Sequence, residues 1–385
     1  MKKKLLIITN PLSFFISHRL EIAYAARNEG YEVKVGYGEL GSSNIETIKS
    51  LSKKGIECFH FPLERGSINP IKELWSLYSI WKIFRQMKPD IVHLITIKAY
   101  LYGGIASRFT RVSCVVSAIA GLGILFNKKK WWNFFLQKLF YLMFRLAFTH
   151  SNQRVIVQNL EDKKTLVNWA ILDKNKILLF NGSGVDLSKF TNLQETNSVL
   201  NICFASRFLR DKGVYDFVSA AKIIKKRGIK ANFLLAGSID PGNPTSLNDQ
   251  ELSNIVDENI VEVLGYQNDI PSLYEKCHII CHPSFYGEGL PKVLLEAAAA
   301  SRAIVTTNMP GCRDAIIPNI SGLLVPPKDP TKLADALQWL IENPLERISM
   351  GKAGRKLAEK NFSIEQIVQK HLDVYQELLD KRIKS

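Results

Sequence analysis

The stretch Cys281-His-Pro-Ser-Phe-Tyr-Gly-Glu-Gly-Leu-Pro-Lys-Val-Leu-Leu-Glu296 decides how the chain is read. The apolar run from Cys277 to Cys281 predicts a buried strand. Gly287 and Gly289 around Glu288 predict a turn, and a helix is expected to start near Pro291, because proline fits the first helical position. A strand, a glycine turn and a helix start bring backbone N–H groups and a carboxylate together. Such a junction can hold a phosphate at the helix N-terminus while the carboxylate grips hydroxyls. At helical spacing Glu288 and Glu296 would lie on roughly one side. Taken alone, the pattern equally fits an inert turn followed by a helix with two surface acids.

Outward from this stretch, β-branched runs alternate with helical patterns. In the first half, strands are expected at Leu5–Thr9, Val33–Gly36, Cys58–Phe61, Asp90–Ile95, Ser113–Ser117, Val155–Gln158 and Ile177–Phe180, with helices at 18–28, 44–54 and 70–88. In the second half, strands are expected at Ile202–Ala205, Asn232–Ala236, Ile260–Leu264, Ile279–His282, Ala303–Thr306 and Leu323–Val325. Strands separated by helices predict doubly wound parallel sheets, whose ligands sit at the carboxyl ends of the strands. The fold class is therefore α/β with two Rossmann-like domains, 1–190 and 191–362, and a last helix over 363–385. The loop after the first strand has no glycine, which argues against a dinucleotide fingerprint there. Ser206-Arg-Phe-Leu-Arg-Asp-Lys-Gly213, which opens the second domain, puts Arg207 and Lys212 before a helix start, a pairing suited to a diphosphate.

Charge is divided unevenly. Residues 1–180 hold 27 Lys+Arg and 12 Asp+Glu, whereas residues 181–385 hold 24 of each. No acid falls between Asp90 and Glu161. That imbalance calls for an anionic partner of the first domain. Within it, Lys128-Lys-Lys-Trp-Trp leads into an aromatic, apolar segment up to Phe148, interrupted by Asn133, Gln137, Lys138 and Arg145. Such a segment suits an interfacial helix on an anionic membrane better than a membrane span; the plainer alternative is a buried helix with one wet edge. No nucleic-acid motif is present, and no nucleic-acid partner is expected. The six cysteines lie mostly in apolar runs, and the N-terminus has no signal-peptide pattern, so a reducing cytoplasm is expected. Alternation along a strand would put Cys277 and Cys281 on one face and His278 and His282 on the other, which disfavours a metal site.

With Glu288-x7-Glu296 after Pro283-Ser284, the Arg207…Lys212-Gly213 loop, Gly237, Gly265, Pro310-Gly311 and Gly322-Leu-Leu-Val325, the chain resembles the family 4 retaining glycosyltransferases over essentially its whole length. The resemblance implies two Rossmann-like domains facing a cleft (the GT-B fold), with the last helix crossing back to the first domain. It implies that Arg207 and Lys212 hold the donor diphosphate, that Glu288 holds the sugar hydroxyls and that Glu296 holds the ribose. Gly289 and Leu290 would offer backbone N–H groups, and Gly265 and Tyr266 would lie near the base. Ser17-His-Arg19, Asn69-Pro70, His93-Leu-Ile-Thr-Ile-Lys98 and Gly121-Leu-Gly123 are similar to a narrower subset, the bacterial N-acetylgalactosaminyl transferases of polyprenyl-diphosphate-linked oligosaccharide assembly. There Ser17, His18, Arg19, Lys98, Gly121 and Gly123 would meet the acceptor. Many members carry a histidine just before this Gly-Leu-Gly segment; here it is Ala120, which leaves His18 or Lys98 to cover its role.

The resemblance thus implies transfer of a hexose or N-acetylhexosamine, N-acetylgalactosamine in α-1,3 linkage being the specific choice. The donor would be a UDP-sugar, and the acceptor an undecaprenyl-diphosphate-linked sugar in O-antigen, surface-polysaccharide or lipid-linked oligosaccharide synthesis. Glu288, Arg207, Lys212 and His18 would carry the chemistry on the cytoplasmic face of the inner membrane. There is no Asp-x-Asp pair to hold a metal on the diphosphate, and no cofactor is expected. A sugar-nucleotide epimerase of the same architecture, or a non-catalytic sugar-nucleotide-binding protein, are the alternatives.

Overall fold

The computed structural model describes residues 2–67, 69–122, 134–168, 172–191, 194–195 and 199–384. The chain forms two compact units, residues 1–183 with 365–385, and residues 184–364. The division falls at Ser183–Gly184 rather than after residue 190.

The first unit runs β1 (Lys4–Thr9), α1 (Leu12–Asn28), β2 (Glu32–Tyr37), α2 (Ile45–Lys53), β3 (Glu57–His60), α3 (Pro70–Met87), β4 (Ile91–Ile95), α4 (Ile97–Thr110), β5 (Cys114–Ile119), α5 (Phe134–Phe148), β6 (Gln153–Val157), α6 (Leu160–Asn168) and β7 (Ile177–Leu179). Among the described residues its sheet has seven strands in the order β3-β2-β1-β4-β5-β6-β7. Every pairing is parallel. The central strands are buried along their length, as in Ile91-Val-His-Leu-Ile95, because helices cover both faces. Helix α3 shows why such segments start where they do. Pro70 opens the helix, and the Asn69 side chain accepts a hydrogen bond from the Ile71 N–H at 3.0 Å.

Two starts differ from the sequence reading. Helix α1 begins at Leu12, not His18, so Ser17, His18 and Arg19 lie in mid-helix. Its N-cap is Pro11, with no side-chain cap bond to announce it. Helix α4 begins at Ile97, again without a side-chain cap, where the sequence reading placed no helix, and Lys98 sits in its first turn.

The second unit runs β8 (Asn201–Ala205), α7 (Val214–Lys226), β9 (Asn232–Ala236), α8 (Asp249–Asp257), β10 (Glu262–Gly265), α9 (Ile270–Glu275), β11 (Ile279–His282), α10 (Lys292–Ala299), β12 (Ala303–Thr307), β13 (Gly322–Val325), α11 (Pro330–Glu342) and α12 (Pro344–Asn361). Its parallel sheet has the order β10-β9-β8-β11-β12-β13. The order reverses between β8 and β11, so the loops after these strands flank a topological switch point, where ligands bind in open α/β sheets. Cys277 precedes β11 and packs in one core, whereas Cys281 packs in the core on the other side. The expected strand alternation therefore does not extend back to Cys277.

Helix α13 (Ile364–Lys384) belongs, from Glu365 onward, to the first unit. Its Val374, Tyr375, Leu378 and Leu379 enter the same core as Leu5, Phe15 and Ile95.

Candidate active site

At the switch point, the loops after β8 and β11 are stitched together. Ser284 Oγ donates to the Asp211 carbonyl at 3.2 Å, and the Phe285 N–H donates to the same oxygen at 3.1 Å. Gly213, at φ +80°, would bring an added Cβ to 2.2 Å from the Pro283 carbonyl oxygen, so only glycine permits this approach. A third loop presses in behind: Gly311, at φ +82°, would bring a Cβ to 1.7 Å from the Gly289 oxygen. Thr306 and Thr307, at the end of β12, donate to the His282 and Ser284 carbonyls.

This frame holds Lys212, Glu288 and His282 in contact. The Lys212 ammonium pairs with Glu288 Oε2, with side-chain exposures of only 14% and 11%. His282 Nε2 lies 3.1 Å from Glu288 Oε1. Burial works against the Glu288 charge, but Lys212, and after it the His282 hydrogen bond, hold this carboxyl well below its ordinary range. Burial pushes the His282 pKa down, more than Glu288 pushes it up. The neutral imidazole therefore donates from Nε2 to the carboxylate and leaves Nδ1 as a buried, unpartnered acceptor. The site is thus a fixed anion-and-cation pair at strand carboxyl ends, suited to hydroxyl and phosphate groups of one ligand.

The remaining donor-side residues are arranged differently from their expected roles. Arg207 does not join Lys212; its guanidinium pairs at 2.5 Å with Asp240, in the loop after β9. Glu296 lies within α10 and pairs with Lys292 at 3.6 Å, one turn earlier. Burial raises the Glu296 pKa, with Lys292 opposing. Pro291 is the extended N-cap of α10, not its first helical residue, and the helix starts at Lys292. Residues 288–291 are therefore outside the helix, and helical spacing does not relate Glu288 to Glu296. The Leu290 side chain belongs to the apolar core. Gly265, at φ +69°, ends the edge strand β10, and Tyr266 is 64% exposed beside it.

His282, Glu288 and Cys312 bring three ligand-type atoms within 4.8 Å of one another. Here Lys212 already neutralises the carboxylate, and burial pushes the Cys312 thiol up to about 12. A metal would have to displace an ammonium and ionise that thiol, so the set fits a hydrogen-bond network better than a cation site.

In the first unit, the His18 ring stacks on Phe14 at 4.2 Å, and its Nδ1 lies 2.6 Å from Ser17 Oγ. Ser17 Oγ donates to the Ser13 carbonyl at 2.9 Å. Arg19, expected at the acceptor, is 2% exposed and packs inside the unit. Lys98, expected to meet the acceptor, directs its ammonium to the Glu64 carbonyl (2.8 Å), the Ser67 carbonyl (2.7 Å) and Glu73 Oε1 (2.7 Å). Those three bonds use all three ammonium hydrogens, so Lys98 ties Glu64 and Ser67 to α3 and α4. Gly121, at φ +107°, follows β5. Gly123 lies outside the described residues, as does the 128–133 part of the aromatic segment. His282 and Asp240 were missed by sequence reasoning; the only signal was their position at or just after a strand's carboxyl end.

Residues 4–159 match a family model described as glycosyl transferase 4-like, and residues 188–357 one described as glycosyl transferases group 1. The chain belongs to the glycosyltransferases. It is 26% identical over 351 residues to the N,N'-diacetylbacillosaminyl-diphospho-undecaprenol alpha-1,3-N-acetylgalactosaminyltransferase of Campylobacter jejuni, covering 87% of this chain and 89% of that one. It is 27% identical over 334 residues to the UDP-Gal:alpha-D-GlcNAc-diphosphoundecaprenol alpha-1,3-galactosyltransferase of Escherichia coli, covering 83% and 84%. Anabaena HepE, crystallised with UDP-glucose, has the same fold (TM-score 0.76, 18% identity, 98% and 99% covered). The two units of this glycosyltransferase are thus the two Rossmann-like domains of the GT-B architecture, the second carrying the Lys212–Glu288–His282 cluster.

Proposed function

We propose that this glycosyltransferase moves a hexose or N-acetylhexosamine from a UDP-sugar to an undecaprenyl-diphosphate-linked sugar, with retention, in surface-polysaccharide or lipid-linked oligosaccharide synthesis. The specific choice is N-acetylgalactosamine in α-1,3 linkage. The observation that carries the reading is the buried Lys212–Glu288 pair at the switch point of a sheet whose full-length relatives bear names specifying such acceptors. Lys212 would pass from Glu288 to the donor diphosphate, and Arg207 would do the same from Asp240. Each cation would then offset the charge that develops on the leaving UDP. Glu288, kept ionised by its surroundings, would accept hydrogen bonds from the sugar hydroxyls and favour cationic character at the anomeric carbon. His18 would act from the first unit, on the acceptor side. Glu296 would hold the ribose, and Gly289 with Leu290 would present backbone N–H groups to the phosphate. The protein would work as a peripheral protein on the cytoplasmic face of the inner membrane; among the described residues, no helix is long and apolar enough to cross a membrane.

The test is incubation with UDP-N-acetylgalactosamine, UDP-N-acetylglucosamine, UDP-galactose and UDP-glucose against synthetic polyprenyl-diphosphate sugars, read by mass spectrometry. One N-acetylhexosamine added to the lipid-linked acceptor, with an α-anomeric proton by NMR, is the expected product. Conversion of the UDP-sugar without an acceptor would assign the site to epimerisation instead, and binding without turnover would assign it to a non-catalytic protein.

A further inference from the structure

Among the described residues, exposed cations and outward apolar side chains of the first unit meet on one helical layer. Helices α3, α4 and α5 cover one face of the seven-stranded sheet and share a core through Ile80, Phe84, Tyr100, Phe144 and Phe148. In α5, Phe144 and Phe148 are therefore spent on the fold, and the outward face keeps Leu139 and Leu142 at 44% and 51% exposure. Phe109 of α4 is 72% exposed, and α3 carries a run of four: Ile71 78%, Leu74 67%, Trp75 58% and Tyr78 47%. Their spacing is i, i+3, i+4, i+7, one continuous stripe. Helix α3 already buries a separate stripe, Ser76, Ile80 and Phe84, against the sheet. The outward stripe has no folding role of its own, and a contiguous apolar patch of this kind marks an interaction surface.

The surroundings of the stripe specify the partner. The rings of Trp75, Tyr78 and Trp81 succeed one another along α3 at 5.5 and 5.6 Å, and the Arg85 guanidinium lies 5.0 Å from the Trp81 ring. Lys82, Arg85 and Lys88 are exposed toward the end of the helix. Arg108 of α4 and Arg145 of α5 add charge on the same layer, and the chain has no acid from Ile91 to Leu160. Tryptophan and tyrosine beside lysine and arginine are the side chains that settle at a bilayer interface, aromatic bodies among the acyl carbons and cations on lipid phosphates.

We propose that α3 is the bilayer anchor, lying in the plane of an anionic membrane with Leu74, Trp75 and Tyr78 at the headgroup boundary and Lys82 and Arg85 on lipid phosphates. This rests on the reading that the acceptor is lipid-linked. The test is flotation of the full chain with phosphatidylcholine vesicles, with and without phosphatidylglycerol. Wild type should float with the anionic vesicles and lose most binding in high salt. The double variant Leu74→Ser/Trp75→Ser should partition at least about tenfold more weakly. Lys82→Glu/Arg85→Glu should abolish the preference for phosphatidylglycerol. Leu139→Ser/Leu142→Ser, on α5, should have the smaller effect. Circular dichroism and the melting midpoint of each variant check that these exposed changes leave the fold intact. Unchanged flotation of both α3 variants overturns the proposal. So does loss of a dimer in light scattering without loss of flotation, which would give the stripe to a second copy of the chain. Calorimetric UDP-sugar binding without vesicles, measured alongside, should be the same in all variants. Its absence from wild type would sink the transferase reading while leaving the anchor standing.

Discussion

Lys212 and Glu288 are each costly to bury alone, and each removes the other's penalty. Removing the ammonium leaves a buried carboxylate without its cation, whereas removing the carboxylate leaves a buried cation. Lys212→Ala should lower kcat by about 10²- to 10³-fold, the loss typical when one preorganised charge contact is removed. Glu288→Gln, nearly isosteric, should cost a similar factor without unfolding the protein. Steady-state transfer rates alongside the melting midpoint check both; wild-type kcat in either variant refutes the site. Because Glu288 is held well below the ordinary carboxyl range, it stays ionised throughout any practical assay, and the acid limb of a pH–rate profile should belong to another group. The glycine turn, the carboxylate and the lysine were legible in the sequence because each is a local chemical signal. The Arg207–Asp240 and His282–Glu288 contacts were not. They join residues brought together only when parallel strands align their carboxyl ends, and neither histidine nor aspartate at such a position announces its partner.

At the level of elements, sequence reading placed a helix start where a side-chain cap and a proline coincide, as at Asn69-Pro70; a proline alone, as at Pro11 or Pro291, did not suffice. Helices α1 and α4 have no side-chain cap, and their starts were misplaced or missed for that reason. The loop before β13 offers a sharper test of local geometry. Gly311→Ala would put a side chain into a left-handed conformation and drive its Cβ into the Gly289 carbonyl. It should destabilise the second unit by roughly 1–3 kcal/mol and reduce donor affinity, checked by denaturant melts and UDP calorimetry. Helix α13 sets a second test. His371, on α13, stacks with His93 of β4, and both are fully buried beside Arg19 and the Tyr375 hydroxyl, which lies 2.6 Å from His93 Nδ1. Burial pushes the His371 pKa down to about 3 and that of His93 well below its usual value; Arg19 adds to both shifts. In the unfolded chain each histidine titrates near ~6.5. The stability that these groups contribute is therefore complete above that value. It is lost as pH falls below that value, down to about 3 for His371, at up to about 1.4 kcal/mol per pH unit for each histidine. Urea midpoints taken from neutral to acid pH should fall with this slope, and His371→Leu should flatten it by about one histidine. An unchanged slope in that variant would exclude His371 as a contributor.

Across the whole molecule, the repeated strand–helix rhythm was visible because it is a local pattern, and it correctly implied two parallel sheets. Strand order was not visible, since it depends on which distant strands meet. The chain's return to the first unit after Ile364 was implied by the family resemblance alone and by no local pattern. That return has a measurable energetic weight. Val374, Tyr375, Leu378 and Leu379 are buried in the core of the first unit, and Tyr375 holds His93. At about 1.5–3 kcal/mol for each large apolar side chain, these four supply roughly 6–12 kcal/mol as an upper bound. A typical domain has only about 5–15 kcal/mol in total. The second unit depends on nothing so remote, since its two cores end at Met350 and Phe362. A chain stopped after Ile364 should therefore lose the cooperative melting of the first unit and keep that of the second. Limited proteolysis should then degrade residues before 184 and leave a protected fragment close to 184–364, whereas the full chain resists in both halves. If the shortened chain instead melts in the same two transitions as the full one, the last helix is an accessory to the first unit rather than part of its core.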